Sequence, residues 1–473
     1  MINLALLKIE LLVCALMGLI FIVDLCIDKK GILRSIAIAG SLAILVFSFF
    51  FKTTGTTFFG AYISDSLSIF FKMLFLLNVF LIIILSQDFL KKNPLDTGEY
   101  FMLLLSSTLG MLLMVSSQEL MTFYVSLELL SISSYILSGH QKSNPRSTEA
   151  GIKYLLLGAM ASGILLFGMS LIYGAVGTIH FTEIAVALTV NSSSPILYIG
   201  LVFVLVGLSF KIAVVPFHMW VPDVYEGAPT PVVAFFSVGT KMAGFAVLIR
   251  LFMIAFGSLK HEWGMLMVVL SAVTIIIGNL LAIPQTNIKR FMGYSSIAQA
   301  GYILMGLAMT SFNGLCASLF YLVAYLFSNL CAFAVIIIYS RKTGSNNIED
   351  YRGLARRSPV LAFVLLIALM SLGGVPPLVG FLGKLYLFFA AVENGFTWLV
   401  VIGVLMSVVS IYYYLMVLKR VYIDPSDDTS PIPLFSWEKC ALTICVAGTV
   451  ILGFFPYPVF NHILSIVHSF SLQ

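Results

Sequence analysis

Five ionisable residues stand within long apolar stretches of the chain: Glu128, Lys211, Lys241 and Lys384 well inside them, and Lys153 nearer an end but followed by a continuous apolar stretch. One acid and four amines in such surroundings suit one kind of chemistry, the uptake, relay and release of protons. A charge at the centre of a membrane costs about 2.5–3.5 kcal/mol on insertion scales. Five such groups on separate segments cannot all reach the interface by stretching their side chains. Facing one another inside a bundle, with water between them, costs less. One carboxylate does not neutralise four amines, and the excess favours neutral lysines that can take and give a proton, over a static lattice of ion pairs. Lys8, Glu10, Asp24, Glu119, Arg250 and Glu393 lie near the ends of apolar stretches and read as side chains that snorkel to the interface. Lys72 falls between the two classes.

The surrounding sequence says what must position these groups. Of 473 residues, 60% are apolar and 10% are charged, whereas soluble domains have about 25% charged residues. The mean hydropathy is +1.05. Both values exclude a soluble globular protein and a disordered one. Apolar runs long enough to span lipid occur at about 4–26, 32–51, 66–90, 98–117, 119–139, 149–175, 196–218, 228–256, 262–284, 289–310, 313–339, 358–391, 397–421 and 438–467. The expected fold is therefore all-α and polytopic, with about fourteen transmembrane helices. The first run lacks a small-residue cleavage site and reads as a retained helix. The net charge of +5 is spread over short loops and gives no reason to expect nucleic acid. Seventeen of the 26 lysines and arginines fall in or beside loops that follow odd-numbered runs, among them Lys29, Lys91, Lys92, Arg341, Arg356 and Lys419. By the positive-inside rule both termini face away from the cytoplasm. The six cysteines lie in apolar runs and form no C-x-x-C pair, and the six histidines form no ligand-spaced group, so no metal site is expected. No Walker loop or dinucleotide fingerprint is present, and the chain is expected to carry no redox centre of its own.

Two runs are broken near a lysine. In the seventh, Pro216 and Pro222 follow Lys211, with His218 between them; in the twelfth, Gly373, Gly374, Pro376 and Pro377 precede Lys384. Proline removes a helix hydrogen bond, and the freed carbonyls need water or protein partners, so such breaks line cavities. The two breaks are five runs apart. Runs 4–8 and 9–13 thus read as two five-helix repeats, inverted because five is odd, which is a transporter pattern. The expected divisions are 1–97 for the first three helices, 98–256 and 262–421 for the repeats, and 438–473 for the last helix.

Three segments carry a family resemblance: P-F-H-M-W-V-P-D continuing as V-Y-E-G-A-P-T-P over Pro216–Pro231, N-I-K-R-F-M-G-Y-S-S-I over Asn287–Ile297, and E-L-L-S over Glu128–Ser131. Together they resemble the antiporter-like membrane subunits of respiratory complex I, the proton-pumping NADH–quinone oxidoreductase. The Y-E-G-A-P-T-P continuation is closer to the subunit N type than to types L or M. The resemblance implies that Glu128 and Lys211 match the carboxylate–lysine pair of helices five and seven. It also implies that Lys153 and Lys241 match the lysines of helices six and eight, and Lys384 the exit lysine of helix twelve. The eleventh helix departs from the L and M pattern, with Tyr321 and Tyr325 where those subunits tend to carry histidines and a lysine. Gln299 stands where the N type often has histidine. A second-half relay would then use tyrosines, amides and water, with Lys384 as its one strong base. The resemblance further implies a translocase subunit of a bacterial inner membrane, lying in lipid among other membrane and peripheral subunits. Those subunits would hold the FMN, the iron–sulfur clusters and the NADH and quinone sites. The competing readings are a subunit of a multi-subunit sodium/proton antiporter and a structural spacer.

Overall fold

The computed structural model describes residues 3–27, 30–92, 97–190, 194–426, 428 and 430–471. Asp28, Lys29, Asn93, Pro94, Leu95, Asp96, Asn191, Ser192, Ser193, Asp427 and Thr429, which fall in expected turns, lie outside them. The chain is essentially all helix. Among the described residues, twelve helices are long and apolar enough to cross a membrane. Lipid offers no partner for backbone groups, so a chain of this composition satisfies them within helices. Helix ends follow from local chemistry. Asp65 accepts from the Ser68 N–H, Asn144 precedes Pro145 at the first helical position, and Asn287 accepts from the N–H groups of Lys289 and Arg290. Gly177 and Gly344 close the two 32-residue helices in the left-handed conformation.

The chain forms two compact units. The first holds residues 1–212 and 227–262, the second 213–226 and 263–473. The first contains the helices Lys8–Cys26, Lys30–Phe50, Ser66–Leu85, Thr97–Val115, Leu120–Ser138, Pro145–Val176 and Pro195–Ile212, with a small antiparallel hairpin, Gly55–Thr57 with Tyr62–Ser64, between the second and third of them. Thr230–Ala255 completes it as a helix interrupted by π-helical turns at Phe236–Thr240 and Leu251–Ala255. The second unit contains Ile288–Ala308, Phe312–Thr343, Pro359–Gly373, Val379–Glu393, Thr397–Tyr422, Ser436–Phe454 and Tyr457–Ser471.

Three features differ from the sequence reading. The last apolar run is two helices, because Pro456 has no N–H to continue the ladder of Ser436–Phe454. A ten-residue helix, Phe181–Val190, occupies a stretch read as a connection. Pro222 lies in the first turn of Trp220–Gly227, where its missing N–H would be unpaired anyway, so it starts a helix instead of breaking one.

Candidate functional site

In the first unit, Leu120–Ser138 places Glu128 and Ser131 three residues apart and so on one face. Lys211 is the penultimate residue of Pro195–Ile212 and is 3% exposed. Its Nζ donates to Ser131 Oγ at 2.9 Å, and Ser131 Oγ donates to the Leu127 carbonyl at 2.6 Å. The sequence reading paired Lys211 with Glu128. Instead, the amine bonds to Ser131, which stands three residues from Glu128 on the same helix. Glu128 Oε1 is buried without a hydrogen-bond partner among the described residues. Beside Lys211 is a cavity of about 10 Å³, lined among others by Ser131, Tyr135, Ser162 and Gly207, with room for about one water. Gly158 makes this wall possible, since a Cβ there would lie 2.1 Å from the Tyr135 hydroxyl. Lys241 opens the helix Lys241–Arg250 directly after the first π-helical turn and is 1% exposed.

Lys153 stands apart from the others. It faces outward from Pro145–Val176 with its side chain 43% exposed, and pairs with Glu149 one turn earlier at 2.7 Å. Its helix turns Ala150, Tyr154 and Gly158 inward, and position 153 lies at the flank of that buried face.

In the second unit, hydrogen-bond accounting explains the break of the twelfth run. A continuous helix would donate the N–H of residue 376 to the Leu372 carbonyl and that of residue 377 to the Gly373 carbonyl. Pro376 and Pro377 have no N–H, and Gly374 turns the chain away at φ 86°. The two freed carbonyls are taken by side chains. Gln299 Nε2 donates to Leu372 O at 3.1 Å, and Lys384 Nζ donates to Gly373 O at 3.0 Å. Lys384 also donates to Ser407 Oγ at 2.7 Å and lies 4.7 Å from the Tyr302 ring centre. Gln299 Oε1 accepts a short bond from Tyr321, and Ser295 meets Tyr414 at 2.5 Å. Tyr325 is buried in the same helix as Tyr321. At the other break, within residues 213–226, Ala213 holds a left-handed φ of 63°, and buried His218 has an Nδ1 without a hydrogen-bond partner among the described residues. The Val215 N–H donates to Thr274 Oγ1 at 3.1 Å. Arg290 holds Asp223 at 2.7 Å and Glu226 at 3.2 Å, tying the second sequence motif to the first.

A family profile described as "NADH:quinone oxidoreductase/Mrp antiporter, TM" matches residues 117–410, a stretch that contains both breaks and all five of these charges. The chain belongs to this family. Among its relatives, NADH-quinone oxidoreductase subunit N of Moorella thermoacetica is 44% identical, with 100% of each chain covered. A chain in the structure of respiratory complex I from Thermus thermophilus with bound Aureothin is 31% identical with a TM-score of 0.81, covering 96% of this chain and 99% of that one. A chain of the Mrp complex from Dietzia sp. is 21% identical over 98% of this chain and 97% of that one. Its TM-score of 0.84 shows a shared fold. This family member is thus an integral multi-pass membrane protein.

Sequence reasoning missed a further set of buried charges. Glu10 and Arg250, expected at the interface, are 2% and 0% exposed. Glu10 Oε1 receives Lys72 Nζ at 2.7 Å and the Tyr62 hydroxyl at 2.8 Å. Arg250 Nη2 grips both oxygens of Asp65 at 2.8 and 3.0 Å. Polar Tyr62 and Asp65, on and just after the hairpin, are the partners that make burial tolerable. The short polar stretch 52–57, ahead of Tyr62, was the available signal. Ser131 could have been found from its spacing to Glu128.

Proposed function

We propose that this chain is a proton-translocating membrane subunit of an NADH–quinone oxidoreductase. Redox energy from quinone reduction in partner subunits would drive protons along Glu128, Lys211, Lys241 and Lys384. The observation that carries this reading is that Lys211 and Lys384 are each buried beside a helix break and hydrogen-bonded by neutral oxygens. Burial disfavours a charged amine and a nearby carboxylate favours it. Moving Glu128 toward or away from Lys211 therefore changes the proton affinity of that lysine, which a static ion pair does not allow. The oxygens around Lys384 accept a hydrogen bond in either state, and Gln299, Tyr321 and Tyr325 line the approach as neutral donors and acceptors. Lys153, paired outward with Glu149, suits a contact with a neighbouring subunit.

The same reading takes residues 98–256 and 262–421 as inverted repeats, with 1–97 and 438–473 flanking them. It sets the protein in a bacterial inner membrane with both termini outside the cytoplasm, following the lysine and arginine bias. FMN, the iron–sulfur clusters, NADH and the quinone belong to the partner subunits. The test is the proton-to-electron ratio of the assembled complex in sealed vesicles. Lys211→Ala and Glu128→Ala are expected to lower it while the complex still assembles. Native ratios in both variants would contradict the proposal.

A further inference from the structure

Asn78 lies in the otherwise apolar helix Ser66–Leu85 and is 0% exposed. Neither its Nδ2 nor its Oδ1 has a hydrogen-bond partner among the described residues. Leaving a buried polar group unmet costs about 1–3 kcal/mol, and a buried amide that persists at such a position is ordinarily met by an internal water, which needs two to four polar partners. The neighbouring backbone is unusual. Asn78 packs against Gly239, which sits in the π-helical turn Phe236–Thr240 immediately before Lys241. A Cβ on residue 239 would lie 2.5 Å from Asn78 Nδ2, so glycine is what lets the amide reach the backbone. A π-helical turn interrupts the regular ladder, and such turns recur at functional sites.

We propose that Asn78 holds an internal water against the turn Phe236–Thr240, and that this water is a relay position serving Lys241. The inference rests on the proton-translocation reading above. Proton transfer through that water forms one O–H bond as another breaks. The Asn78 amide neither gains nor loses a proton, and so acts as a positioning residue. It lies on the third helix, outside the segment matched by the family profile.

The test uses two near-isosteric substitutions in the assembled complex, Asn78→Thr and Asn78→Val, with Lys241→Met as reference. Threonine keeps a hydroxyl that can hold a water, and valine does not. Compared at matched quinone reduction, Asn78→Val is expected to lose at least half as much of the proton-to-electron ratio as Lys241→Met, and Asn78→Thr to stay near native. A loss in Lys241→Met with a native ratio in Asn78→Val overturns this inference alone. No loss in Lys241→Met overturns the role of Lys241 and the inference with it. Should Asn78→Val not assemble, a high-resolution map of the native complex decides: ordered water within hydrogen-bonding distance of Asn78 supports the proposal, and a dry amide overturns it.

Discussion

Lysines at membrane depth meet two different fates in this chain. Lys72 has a charged partner: its amine, the Glu10 carboxylate and the Tyr62 hydroxyl contact one another at 2.7–2.8 Å. Lys211 and Lys384 instead meet hydroxyl and carbonyl oxygens, which solvate an amine in either protonation state. The contrast predicts different responses to substitution. Lys72→Met strands the Glu10 carboxylate and should destabilise the protein by about 3–5 kcal/mol, the usual effect of breaking a buried pair. Glu10→Gln combined with Lys72→Met should recover most of that loss. Thermal unfolding of the purified complex would measure both, and the double variant should pump at the native ratio. Equal destabilisation of the single and double variants would show that the pair does not act as a unit.

Two of the helix interruptions lie beside buried lysines. The π-helical turn before Lys241 and the proline–glycine break before Lys384 both take backbone groups out of the regular ladder. In the twelfth run the second half-helix returns so closely that a Cβ on Gly380 would lie 1.9 Å from the Ser371 carbonyl oxygen. The Gly380 N–H donates to Ser371 Oγ at 3.1 Å, and Ser371 Oγ meets Ser328 Oγ at 2.7 Å. Gly380→Ala must push the half-helices apart, and overpacking of this kind costs about 1–3 kcal/mol. The expected outcome is a lower yield of assembled complex and a lowered proton-to-electron ratio in what assembles, because Lys384 is carried on the displaced half. Native values for both quantities would show that the break tolerates the shift.

For the molecule as a whole, the apolar runs made the helical membrane fold legible, and the paired breaks beside Lys211 and Lys384 made the candidate site legible. What the sequence hid was side-chain direction. Glu10 and Arg250 lie near the ends of apolar runs, where a side chain can reach either water or a buried partner, and only packing decides which. Lys153 was concealed for the converse reason, since an outward-facing position in a membrane helix looks as apolar around it as an inward one. The break at Pro456 went unread because its flanks are apolar on both sides. The lysine and arginine bias predicts that a phosphatase active only outside the cytoplasm, fused after Gln473, is active in cells, and that the same fusion within the loop 344–350 is inactive. The reverse pattern would overturn the orientation. The most direct measurement is the proton-to-electron ratio of the assembled complex carrying Lys211→Met and Lys384→Met together, in sealed vesicles and at matched quinone reduction. A ratio clearly below native is the expected result. A native ratio would mean that protons cross this membrane without the two buried amines.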